Sequence, residues 1–298
     1  MKKIYIAGAG GMLGEALFNV FKKNYTLKCS DIDINENWIS YLDIRKHSEY
    51  REDVKNFFPD YLFHIGALTD LEYCEKHPEE TYLTNTLSVE SATNIANELN
   101  IPLIFISTAG VFDGRKEFYD DWDAPNPKNH YGKSKYNAEK FIQKNATNSI
   151  ICRAGWMMGG GPRKDKKFVN KIIKQIKEGK RELNVVNDKA GTPTYTYDFA
   201  NNLKIILENN LSGLYNLVGQ GEANRFDVAY KILEILGLTN RIKINKVNSV
   251  FFKDEYFVIR PSSEQLINKK LEQRSINYMR DWKVCIEEYI NKNYYDYL

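Results

Sequence analysis

The residues best placed by type and spacing to do chemistry are Tyr131-Gly132-Lys133-Ser134-Lys135. They follow a loop marked by Pro125 and Pro127 and open a segment that reads as a helix through about Asn145. Tyr131 and Lys135 are four apart, so on a helix both side chains project from one face. A phenol beside a fixed ammonium is a proton donor. Its pKa near 10 is too high for work at neutral pH, and a neighbouring positive charge lowers it. Tyr136 and Lys140 repeat the spacing, but at about 100° per residue Tyr136 lies roughly 140° round the helix from Tyr131. Only one pair can face a given cleft, and the elements upstream decide which.

Those elements begin at the N-terminus. Residues 3–7 make a short apolar strand, Gly8-Ala9-Gly10-Gly11-Met12-Leu13-Gly14 a glycine turn, and Glu15 to Lys22 a helical run. Strand, glycine turn and helix in that order is the context of a dinucleotide fingerprint. Gly8 allows the tight turn, Gly11 the approach of a pyrophosphate, and Gly14 close packing of helix on strand. The helix N-terminus offers unpaired N–H groups and a positive dipole end. A second strand, Tyr25 to Ser30, runs into Asp31. A carboxylate there accepts from both ribose hydroxyls and repels a 2′-phosphate, which favours NAD(H) and leaves NADP(H) as the alternative.

Strands and helices then alternate, as in a parallel sheet with crossover helices. Residues 61–66 read as a buried strand, 79–99 as helix, and Leu103 to Ile106 as a strand ending at Ser107-Thr108-Ala109-Gly110. Ligands of open α/β sheets bind beyond the carboxyl ends of the strands. Thr108 and Tyr131 are therefore expected to border one cleft.

Composition narrows the class. A chain of 298 residues with 43% hydrophobic content can bury a large core. A formal net charge of +3 gives no argument for nucleic acid, and no apolar run reaches membrane-spanning length. Met1-Lys2-Lys3 leads straight into the first strand, unlike a signal peptide. Cys29, Cys74, Cys152 and Cys285 are scattered and read as reduced thiols of a cytoplasmic protein. His47, His64, His77 and His130 lack metal-ligand spacing, so no metal site is expected.

Taken together the motifs resemble the extended short-chain dehydrogenase/reductases, and within them the dTDP-4-dehydrorhamnose reductase family. Gly8 to Gly14 with Met12-Leu13 is similar to the family's opening loop, and His64 to Asp70 to its fourth-strand segment. Asn85 with Ser88-Val89-Glu90 resembles the stretch crossing behind the nicotinamide. Ser107-Thr108 with Val111-Phe112-Asp113-Gly114 resembles the threonine segment, and Tyr131 to Lys135 the tyrosine–lysine helix. Arg153-Ala154-Gly155-Trp156, Gly191 to Thr194, Arg260-Pro261 and Met279 to Trp282 recur in register.

The resemblance implies a doubly wound parallel Rossmann sheet with a smaller mixed α/β C-terminal substrate domain. Residues 1–155 with about 194–219 would form the first, and about 156–193 with 220–298 the second. It implies reduction of the C4 keto group of a 4-keto-6-deoxy nucleotide sugar, dTDP-linked, for deoxysugar synthesis. Thr108, Tyr131 and Lys135 would be catalytic. Asp43, Ala67 and Asn85 would join the glycine loop and Asp31 at the cofactor, and Trp156, Lys167 and Arg260 would join Thr108 at the sugar nucleotide. One departure stands out. The family places Asp and Tyr directly after the threonine, where this chain has Ala109 and Gly110. That implies a pocket roomier by a phenol and short of two polar anchors, with weak activity on dTDP-4-dehydrorhamnose and better activity on a 4-keto sugar bulkier or differently configured around C3 and C4. An epimerase or dehydratase on the same fold, or a catalytically silent cofactor-binding subunit, are the competing readings.

Gly159-Gly160-Gly161-Pro162 reads as a flexible hinge, and Arg163-Lys164-Asp165-Lys166-Lys167 as a charged run before a helix. One or two of its cations are expected at a diphosphate. Tyr289, Tyr294, Tyr295 and Tyr297 read as surface or interface packing, compatible with a homodimer.

Overall fold

The computed structural model describes residues 1–295 and 297. Among them a seven-stranded, all-parallel sheet forms the centre. Its strands lie in the spatial order Gly213–Asn216, Ser149–Ala154, Leu103–Thr108, Tyr61–His64, Lys3–Ala7, Thr26–Asp31, Ile39–Tyr41. The order reverses at Lys3–Ala7, and the crevice at that switch point is where a doubly wound sheet receives its ligand. Strands this buried read as continuous apolar runs. Leu103, Ile104 and Phe105 are fully enclosed, with one apolar cluster on each face of the sheet.

Two features position the cleft. The glycine turn is packed backbone to backbone: Gly8 has φ +91°, and a Cβ on it would lie 2.1 Å from the Gly66 backbone. A Cβ on Gly14 would lie 2.1 Å from the Ala9 carbonyl oxygen, whereas one on Gly11 would meet nothing within 4 Å. The three glycines thus divide as expected, two for packing and one to keep a phosphate-sized approach open. The helix Met12–Phe21 starts inside the turn, with Gly11 as its N-cap.

The second feature is the helix His130–Asn145. Asn129 caps it by accepting from the Gly132 amide (2.8 Å). Gly132 sits directly on the Gly110 carbonyl, 2.3 Å from where a Cβ would be. Asn85 and Thr86, in a π-helical turn at Leu83–Leu87, bond the Ser134 hydroxyl (3.1 Å) and carbonyl (2.8 Å). Deeper in, Glu139 receives a two-pronged pair from Arg153 (3.0 and 2.8 Å), both side chains almost fully buried.

Residues beyond Trp156 add a third apolar cluster around Ile173, Val185, Ile232 and Ile286. Two expectations are corrected there. The glycines at 159–161 form a turn leading into the short helix Gly161–Lys164, seated against Met12, because Gly160 (φ +75°) and Gly161 (φ +61°) adopt left-handed conformations that favour glycine. Tyr289 and Tyr294 are core residues, not surface. The Tyr289 hydroxyl is satisfied by donating to the Gly159 carbonyl (3.0 Å) or Asp165 (2.9 Å), which lets a phenol be buried.

Removing one partner of a buried ion pair strands the other charge. Arg153→Met is expected to destabilise the protein by about 3–5 kcal/mol. Adding Glu139→Leu to that variant should recover much of the loss in urea denaturation.

Candidate active site

The Thr108 hydroxyl accepts a hydrogen bond from the Gly110 amide (3.1 Å), which fixes its oxygen and leaves its own proton to donate. It lies close enough to the Tyr131 phenol to lower the pKa of that group. Tyr136 instead packs against the cluster of Ala109, Val111 and Phe112, with Lys140 over its ring (4.9 Å). Of the two tyrosine–lysine pairs, Tyr131 with Lys135 is the one on the side of Thr108.

The electrostatics differ from the sequence expectation. Burial dominates at Tyr131 and pushes its phenol up to about 12 despite Thr108. Lys135 is enclosed, its ammonium 4.0 Å from the centre of the Phe105 ring. Burial brings that ammonium down to about 7, with Glu139 opposing. The phenol is therefore fully protonated at neutral pH, and the lysine is the group that titrates there. Nearby His64 is held neutral, down at about 3, by burial and by Lys135, between the Tyr50 hydroxyl and Ser88 (both 3.1 Å).

At the cofactor end, Asp31 accepts from the Gly10 amide (2.8 Å) and the Asp33 amide (2.9 Å), tying the second strand to the glycine turn. Lys28 is engaged with Asp53 (2.6 Å). Asp43 is gripped by Arg45, which also reaches Glu80, and its carboxyl is held below the usual range by that guanidinium. Asn85 clamps the loop that includes Ala67: its side chain accepts from the Leu68 amide (2.8 Å) and donates to the Leu68 carbonyl (2.9 Å). The open approach over Gly11, the helix N-terminus behind it and the Asp31 carboxylate fit a dinucleotide's pyrophosphate and ribose.

At the other end, Lys167 donates to the Thr69 carbonyl and hydroxyl (3.1 and 3.0 Å), across from the strand-end loop. Arg260 pairs with Glu72 (2.8 Å). Trp156 is wedged against Gly191, where a Cβ would lie 2.2 Å from its indole, and the Arg225 guanidinium stands 3.6 Å from its ring centre. The indole N–H donates to Glu264 (2.8 Å). Arg225 and Glu264 escape sequence reasoning, because each lies in a segment without a motif and meets the site only through the fold. The space expected beside Gly110 is bordered by the Glu264 carboxylate, 3.4 Å from where a Cβ on Gly110 would stand. Among the described residues no three His, Cys, Asp or Glu side chains gather as metal ligands, and no helix is long and apolar enough to cross a membrane.

A doubly wound sheet with a fingerprint turn, a threonine at a strand end and a tyrosine and lysine on the helix beside it is the arrangement of an extended short-chain dehydrogenase/reductase. A family model described as the RmlD substrate binding domain matches residues 1–295, and the chain belongs to that family. It is 29% identical over 293 residues to the spore coat polysaccharide biosynthesis protein SpsK of Bacillus subtilis, covering 98% of each chain. It is 31% identical over 251 residues to an Escherichia coli dTDP-4-dehydrorhamnose reductase, covering 81% of this chain and 82% of that one. The crystal structure of dTDP-4-dehydrorhamnose reductase from Bacillus anthracis, in complex with NADP, is similar at a TM-score of 0.88 and 26% identity, over 98% of this chain and 99% of that one.

Lys135 gives a pH prediction. Between about pH 7 and 10.5 the unfolded chain holds a proton that the folded protein has released. Unfolding therefore takes up a proton, and stability rises with pH across that window. Below pH 7 the full penalty of burying the ammonium stands. Lys135→Met, measured without cofactor, is expected to gain most over the parent in urea midpoint below pH 7 and progressively less towards pH 10. A gain independent of pH would mean that the lysine keeps its ordinary pKa.

Proposed function

We propose that this protein is an NAD(P)H-dependent reductase of the C4 keto group of a 4-keto-6-deoxy nucleotide sugar, dTDP-linked, in cytoplasmic deoxysugar synthesis. The observation that carries the reading is the Thr108 hydroxyl, oriented by the Gly110 amide beside the Tyr131 phenol. The bound nicotinamide supplies the hydride. Tyr131 gives its proton to the alkoxide oxygen that forms at C4. Burial keeps that phenol protonated, so it holds a proton to give. Thr108 donates to the same oxygen, an interaction worth more as charge develops there than before. Lys135 stabilises the phenolate left behind and holds the nicotinamide ribose.

The segments 156–193 and 220–298 would form the part that closes over the sugar nucleotide, with Lys167 and Arg260 near its diphosphate. NADH is the favoured cofactor, because Asp31 and Asp33 bring two carboxylates to the ribose end of the fingerprint while Lys28 is committed to Asp53. NADPH remains usable, in keeping with the Bacillus anthracis relative. The dehydratase reading loses support because Ala109 and Gly110 supply no acid–base pair beside the threonine.

NAD(P)H oxidation with 4-keto sugars carried on dTDP, UDP, CDP and GDP tests the reading; no oxidation with any of them overturns it. Tyr131→Phe should lower kcat by about two to four orders of magnitude with little change in NADH affinity. Tyr136→Phe should be nearly silent, since its ring packs away from Thr108. For the cofactor, Asp31→Ser should narrow the margin of NADH over NADPH in kcat/KM. A parent enzyme that prefers NADPH would refute the role given to Asp31.

A further inference from the structure

Glu264 lies on the strand Ser263–Leu266, far in sequence from every other site residue. Among the described residues the one hydrogen bond to its carboxylate comes from the Trp156 indole, on Oε2 (2.8 Å). Oε1 points elsewhere. It lies 3.4 Å from the position a Cβ on Gly110 would take, and the Thr108 hydroxyl oxygen lies 3.4 Å from that same point. The two oxygens therefore flank one small volume next to the Tyr131 phenol, on which Glu264 also acts electrostatically. Glycine at 110 makes this arrangement possible, since a large side chain there would claim the same volume.

Its charge supports the buried Arg225 guanidinium, a structural role that leaves Oε1 without a hydrogen bond among the described residues. Any neutral acceptor would serve the Trp156 N–H, and an anion near Tyr131 makes the phenol harder to ionise. A negative oxygen held at fixed aim is worth most to a ligand that brings a hydrogen-bond donor. Trp156, wedged between Gly191 and Arg225, sets that aim.

We propose that Glu264 is a specificity-determining residue: its Oε1 accepts a hydrogen bond from a donor, hydroxyl or amino, on the ring carbon next to the reacting carbonyl. The proposal rests on the reductase reading for which carbon reacts, and it names the substrate class as sugars carrying a donor at C3.

The test compares 4-keto-6-deoxy nucleotide sugars bearing a C3 hydroxyl, a C3 amino group or no C3 substituent. Glu264→Ala should lower kcat/KM on the first two by about 10- to 100-fold, mainly through KM, the range of a hydrogen bond to a charged group. The 3-deoxy compound should change by no more than about twofold, well inside that range. Whichever of hydroxyl and amino loses more identifies the donor. Trp156→Phe keeps Glu264 but removes the tether that sets its aim, and should weaken the same preference for a C3 donor. Equal losses on all three for Glu264→Ala, or an undiminished preference in Trp156→Phe, would overturn the proposal. Calorimetric binding of the same compounds separates the two readings. A Glu264-dependent preference without turnover sinks only the reductase reading, and binding without that preference sinks this one.

Discussion

Placing an ammonium and a phenol together in an apolar cleft is the demand that shapes this structure. A lysine buried over a phenyl ring loses its hydration, and the depressed pKa of Lys135 measures that loss. The charge is usable only if the helix carrying it cannot shift. That helix is accordingly fixed along its length: by Asn129 at its cap, by Gly132 on the Gly110 carbonyl, by Asn85 and Thr86 at Ser134, and by Arg153 at Glu139. Asn85 does double duty, since the same side chain holds the Leu68 backbone. A single amide thus sets the distance between the strand-end loop and the tyrosine helix.

Most of the central sheet was legible in the sequence because its determinants are local. The Leu103–Thr108 strand is a short apolar run stopped by small residues, and the glycine turn has spacing that few other structures need. That Tyr131 stands beside Thr108 was also legible, given one helix and one upstream hydroxyl. What could not be read was the balance of burial against charge. From spacing alone a lysine four residues away lowers a tyrosine's pKa; in the fold, desolvation dominates at both groups, opposed by Thr108 at the phenol and by Glu139 at the ammonium. The tyrosines of the tail misled for a related reason. Tyr289 is buried because Gly159 and Asp165 are there to accept from it, and both lie more than a hundred residues away.

Glu264 and Arg225 show the same limit at the substrate end. Neither lies in a recognisable motif, and both reach the site through Trp156, itself admitted only because residue 191 is glycine. The absence of bulk at Gly110 looked like lost contacts when read along the chain. In space it is one half of an exchange in which an anion from a distant strand stands beside the threonine.

The charges finally divide the cleft into two unlike ends. Asp31 and Asp33 make the fingerprint end acidic beyond the phosphates, while Lys167, Arg225 and Arg260 gather at the other, where burial lowers the pKa of Arg225, Glu264 opposes that and Arg260 adds to it. Like charges held that close cost stability in the protein alone. Glu72 on Arg260 and Glu264 near Arg225 offset part of that cost, and on the proposed function a nucleotide diphosphate would offset more. A dinucleotide entering backwards would set its phosphates against Asp31 and its ribose among cations. On the reductase reading proposed above, the same electrostatics would also fix which way each ligand lies and bring hydride donor and carbonyl together at Tyr131.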